Sequence, residues 1–102
     1  MANLEAGKMV GEQVRPYMKL IEEFLSGMMD SSRFEKRYLE AFKRDPTFFP
    51  EEIFETLDAL FAEVDAFCPD PEIRGPNGLD EIQLRAKCLQ ALQRLRQLGY
   101  SS

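Results

Sequence analysis

Histidine is absent from this chain, and with it goes the commonest general base, metal ligand and physiological-pH switch. Only two cysteines occur, Cys68 and Cys88, at a spacing that makes no zinc site. They form no disulfide framework either. The expectation is two buried thiols in a reducing compartment, with pairing left open by spacing alone. No window reaches the roughly 18 apolar residues that a membrane span requires. The opening "MANLEAGKMVGEQ" has no cationic region followed by an apolar run, so a cytoplasmic protein without a secretory leader is expected. "GPNG" lacks the flanking strand and the Lys-Ser/Thr ending of a phosphate-cradling loop. Carboxylates could in principle hold a metal inside a helical bundle, but the Glu-x-x-His pair usual at such sites cannot be built here. Paired-carboxylate hydrolysis needs a cleft that 102 helical residues are not expected to provide. No catalytic, cofactor-binding or metal-ligating residue is therefore expected.

What is present is enough apolar material for one core. A chain of this length defaults to a single domain, and 44% hydrophobic residues with eight Phe can fill it. No strand-like alternation occurs, whereas four segments carry helical spacing. The first is predicted over Val14–Ser26, with Val14, Tyr17, Ile21, Phe24, Leu25 and Met28 in one stripe, Pro16 in the first turn and Gly27 as the stop. The second follows Asp30, with Met29 and Phe34 as a hydrophobic staple; Ser32 with Glu35 offers a competing capping box. Its stripe is Phe34, Tyr38, Ala41 and Phe42, and it ends in "KRDPTFFP". The third runs between Pro50 and Pro69, with Ile53, Leu57, Leu60, Phe61, Val64 and Phe67 inward. The fourth starts at Asp80, boxed by Gln83 and stapled by Leu79 and Leu84. Leu84, Cys88, Ala91, Leu95 and Leu98 form its stripe, flanked by Leu92, and Gly99 ends it. The short connections after the first two helices favour antiparallel neighbours, so the expected fold is all-α, a compact antiparallel four-helix bundle over residues 1–102. A loose N-terminal segment is one reading of residues 1–13.

Charge is distributed unevenly. From Pro50 to Glu72 the chain holds eight acids and no Lys or Arg, while all 13 bases lie elsewhere beside ten acids. Glu51 and Glu52 open the third helix, where carboxylates stabilise by about 0.3–1 kcal/mol against the exposed N–H groups. The same rule runs against Glu63, Asp65, Asp70 and Glu72, at or beyond the helix C-terminus, and no base three or four residues away within this helix offsets them. Glu51, Glu55, Asp58, Ala62 and Asp65 step by four, three, four and three, and at about 100° per residue share one stripe opposite the apolar face, bordered by Phe54. Such a stripe fits either a solvated, solubilising face or a protein-binding surface. The net charge of −5 points away from nucleic acid and towards a basic protein partner, and without a spanning window no membrane partner is expected either.

The order "YMKLIEEFLSG", "SSRFEKRYLEAFKRD", "LDALFAEVDAFCPDPEIR", "LDEIQLRAKCLQAL" resembles the colicin D-type bacterial immunity proteins, including those of contact-dependent growth inhibition. The likeness covers about Tyr17 to Leu95, and its weight lies in the order of the motifs, above all "VDAFCPDP" followed by "LDE…LR". Members of that family are small four-helix bundles that bind a cognate nuclease toxin and block its active site. The type member meets a tRNA-cutting toxin with acids placed where RNA phosphates would lie. By position the resemblance implies toxin-facing roles for Asp65 and Asp70, with Glu63 and Glu72 as neighbours. Cys68 and the longer "EIRGPNGLDE" connection depart from the pattern. Together the stripe and the resemblance designate Phe54, Glu55, Asp58, Glu63, Asp65, Asp70 and Glu72 as the partner-binding set of a protein that is monomeric when free. An acidic helical adaptor for a basic partner unrelated to nucleases is the alternative reading.

Overall fold

The computed structural model describes the backbone of residues 2–102 and the side chains of residues 10–102. Four helices follow in order: α1 Ala2–Leu25, α2 Ser31–Arg44, α3 Glu51–Asp65 and α4 Glu81–Gln97. Each packs on its neighbours in sequence, and α4 returns to α1, closing the expected four-helix bundle. Phe24, late in α1, stacks on Phe34, early in α2, with centroids 4.7 Å apart. Phe42, late in α2, meets Phe54, early in α3, at 6.0 Å. Both pairs are those of antiparallel helices.

Sequence rules account for most helix starts. Asp30 caps α2, its Oδ1 accepting the Arg33 N–H at 2.8 Å, so this cap prevails over the Ser32–Glu35 box. Asp80 caps α4 with both arms of the capping box closed: Gln83 N–H donates to Asp80 Oδ1 at 2.8 Å and Asp80 N–H to Gln83 Oε1 at 2.9 Å. Gly27 and Gly99 follow the ends of α1 and α4 at φ 86° and 98°, a backbone region that suits residues without a Cβ.

The first helix departs from expectation. It begins at Ala2, so residues 2–13 continue it and Pro16 lies in its interior. Met1 lies outside the described residues. Val10 packs on the core one turn before Val14, which extends the apolar stripe backwards. Pro16 removes the N–H that would meet the Glu12 carbonyl, but both residues face solvent, where water can satisfy that oxygen. A second correction concerns Met28, which is 82% exposed while Met29 is buried. The helical register stops at Leu25 and the turn at Gly27 redirects the chain, so a stripe extrapolated past it selects the wrong methionine.

The core runs the length of the bundle, from Val14, Tyr17, Ile21 and Phe24 through Phe34 and Tyr38 to Leu57, Val64, Leu84 and Leu95. Two hydroxyls lock helices together. Tyr38 donates to the Leu57 carbonyl at 2.7 Å, joining α2 to α3. Tyr17 donates to Asp45 Oδ2 at 2.7 Å, tying α1 to the residue that ends α2. Arg85 of α4 lies over the Phe24 ring, 4.5 Å from its centroid, and donates to the Phe24 carbonyl at 3.2 Å, satisfying the C-terminus of α1. The cysteines stay unpaired. Cys88 is buried, but Cys68 is only partly so, because the chain has left the helix before it and turned into the connecting loop.

Candidate functional site

The outward face of α3 is built by its own period. Glu51, Glu55, Asp58, Ala62 and Asp65 are all exposed, while Ile53, Leu57, Leu60 and Val64 are buried on the opposite side. At about 1.5 Å per residue the stripe is roughly 20 Å long. No basic residue occupies the last turn of α3. Among the described residues two ion pairs form, Arg85 with Glu81 at 3.6 Å and Arg96 with Glu22 at 3.2 Å. Neither involves any of the eight acids between Pro50 and Glu72.

Beyond Asp65 the connection to α4 is a folded loop. Cys68 N–H donates to the Leu79 carbonyl at 2.9 Å and Leu79 N–H to the Ala66 carbonyl at 3.0 Å, clamping its two ends in a parallel bridge between Phe67 and Leu79. Within it, Arg74 donates from Nε to the Cys68 carbonyl at 2.8 Å and from Nη2 to the Pro69 carbonyl at 3.2 Å. The one base of this loop thus holds backbone. Asp70 Oδ1 accepts the Glu72 N–H at 2.9 Å, an Asx turn that fixes Asp70 and presents Glu72 beside it. Both side chains are exposed.

The structure brings Asp65, Asp70 and Glu72 to one end of α3 and its loop, with Asp58 and Glu55 leading to them along the helix. It sets Glu63 apart. That residue is partly buried and lines the groove between α3 and α4 with Lys87 and Arg94, without closing an ion pair. Glu63 follows Asp58 by five residues, about 140° around the helix, so the separation was readable from spacing. Phe54 is 47% exposed, with one side packed on Phe42.

Two residues belong with this surface that the sequence pattern does not single out. Glu35 of α2 is partly exposed. Partial burial, and then the negative charge of Asp65, push its pKa up, which places another carboxyl close to the C-terminal end of α3. Nothing local in the sequence signals a neighbour on a different helix. Phe48, in the α2–α3 connection, is 98% exposed, whereas adjacent Phe49 is buried. The signal for this was the Phe-Phe pair itself, since successive side chains of a non-helical segment turn to opposite sides.

Among the described residues no group of three or more His, Cys, Asp and Glu side chains is placed to hold a metal ion, and no helix is long and apolar enough to cross a membrane. The titratable groups burial perturbs most are core residues. Burial pushes the Cys88 thiol up to about 12 and raises the Tyr38 phenol well above its ordinary value. Fold and surface together define a small all-α protein with an acidic face that no ion pair among the described residues neutralises. The chain belongs to the bacterial self-protective colicin-like immunity family, whose model matches residues 13–95. No match was found among curated proteins or among solved structures. Membership implies a protein that binds and neutralises a cognate toxin, an inhibitor rather than an enzyme.

Proposed function

We propose that the toxin is a nuclease and that the face formed by Glu55, Asp58, Asp65, Asp70 and Glu72 occupies its basic substrate groove. A nuclease must hold phosphates, so its groove carries Lys and Arg, and carboxylates spaced along a rigid helix and a folded loop can stand where phosphates would. The observation that carries this reading is that no ion pair among the described residues neutralises any of these acids, although those near the C-terminus of α3 cost about 0.3–1 kcal/mol each in helix stability. The resemblance to the colicin D-type proteins makes an RNase, and among RNases a tRNase, the first candidate, and the cytoplasm the place of action. Glu63 takes a subordinate part, because it faces α4.

The test is the association rate with the inactivated nuclease domain of the cognate toxin. Between about 0.01 M and 0.15 M salt the screening length falls from about 30 Å to about 8 Å, and association should slow by roughly tenfold or more. Reversing Asp65 and Asp70 together to Lys should slow it at low salt and remove most of that dependence, with the helical circular-dichroism signal unchanged. Equal rates at both salt concentrations would exclude steering by this face.

A further inference from the structure

Phe48 is the most exposed large apolar side chain described, yet its segment is held from both sides. Thr47 N–H donates to Asp45 Oδ1 at 2.8 Å, and Asp45 is itself bonded to Tyr17. On the far side, Phe49 is buried with its ring 6.2 Å from that of Tyr17. Phe48 is thus presented by a fixed backbone, at the edge of a shallow recess of about 370 Å³ that it forms with Thr47, Phe49, Pro50 and Phe54. Phe54 is backed in turn by Phe42, which packs on Phe61 at 5.3 Å. The ledge is apolar, rigid and uncovered. It stands at the N-terminal end of α3, roughly 20 Å along the helix from Asp65.

We infer that Phe48, with Phe54 beside it, is an apolar anchor that inserts into the toxin at a point separate from the acids at the other end of α3. This rests on the toxin-binding reading above and adds what the toxin must offer: an apolar hollow rimmed by Lys or Arg. The rim follows from charge. Glu51 lines the recess, Glu52 and Glu55 are exposed in the same first turns of α3, and none of the three forms an ion pair among the described residues, so a basic surround is complementary. A second copy of this chain meeting the ledge about a two-fold axis would set the same carboxylates against their own images. Division of labour follows from physics: exposed charges act on encounter, whereas a desolvated aromatic anchor acts on residence time.

The experiment measures association and dissociation of the inactivated nuclease domain with wild type, Phe48→Ser and Phe48→Leu, beside sedimentation of each protein alone. Phe48→Ser should weaken binding about 30-fold, or about 2 kcal/mol at 1.4 kcal/mol per tenfold. Nearly all of the change should lie in the dissociation rate, with the salt dependence of association and the melting temperature unchanged. Phe48→Leu should recover at least about threefold of the loss, because it restores apolar area. Dissociation of Phe48→Ser within about twofold of wild type would overturn the anchor and leave the acidic-face reading standing. Absence of binding by wild type would remove both. A wild-type dimer that Phe48→Ser converts to monomer, with toxin binding unaffected, would reassign the ledge to self-association and overturn the proposal.

Discussion

Tyr38 donates its hydroxyl to the Leu57 carbonyl from a position with no exposed surface. Removing that oxygen in Tyr38→Phe leaves the carbonyl its place in the α3 ladder, so the expected loss is about 1 kcal/mol, read by urea denaturation. The same residue governs the response to alkali. Burial, the largest cause, raises the phenols of Tyr38 and Tyr17 above their ordinary 10.0, and the Cys88 thiol from 9.0 to about 12. Each group keeps its proton in the fold at a pH where the unfolded chain gives it up. The stability linked to them is therefore whole below the unfolded values and is lost as pH rises from there through the raised folded values. Melting temperatures followed by circular dichroism should be level to about pH 8 and fall from about pH 9 upward, with a shallower fall in Tyr38→Phe. Asp45 behaves oppositely. Burial alone would raise its pKa, but hydrogen bonds from Thr47 and Tyr17 outweigh it and hold the carboxyl below 3.8. Its contribution is present above that value and disappears as pH falls through the lowered one.

At the scale of the element, α3 sets folding against recognition. Asp65 stands in its last turn, and its charge contributes to the raised pKa of Glu35. Asp65→Lys should therefore stabilise the protein by about 0.3–1 kcal/mol in chemical denaturation while weakening toxin inhibition. A variant that lost both stability and inhibition would contradict the dipole account. Glu35→Gln should give a smaller gain of about 0.3 kcal/mol, since the group is largely solvated. The loop after α3 depends on Gly78, where a Cβ would lie 2.6 Å from Arg74 Cγ. Because the Arg74 guanidinium is tethered to two carbonyls, Gly78→Ala should dislodge it. Amide exchange at Cys68 and Leu79, whose N–H groups close the loop ends, should quicken roughly tenfold while the helical amides stay protected.

For the whole molecule, the net charge of −5 understates the field on one side. Seven exposed carboxylates project from α3 and its loop, with Glu63 turned towards α4, and all 13 bases lie outside the Pro50–Glu72 segment. Two copies meeting through α3 would oppose like charges, so the free protein should sediment as an 11.8 kDa monomer at low salt, where such repulsion is least screened. A salt-independent dimer would mean that another face, with Phe48 foremost, outweighs it.

The starts of α2, α3 and α4 were legible because a cap or an opening proline acts on N–H groups within its own first turn. The inward stripes were legible because the helical period is a property of the chain alone. The same locality misled at Pro16, where a start signal sits inside a helix on an exposed face, and at Met28, where the period was carried past its end. The acidic stripe and its lack of bases within α3 stand in the sequence. Whether a cation folded over from another helix would neutralise it did not, for that depends on how the helices rotate and settle against one another. So do the approach of Glu35 to Asp65, the turning of Arg74 onto backbone carbonyls and the choice of Phe49 over Phe48 for the core. By itself the sequence determined which residues each helix offers, since that follows from bonds within a few residues. Only the tertiary structure decided which of those offers stayed open to a partner, since burial and neutralisation are made between elements far apart in the chain.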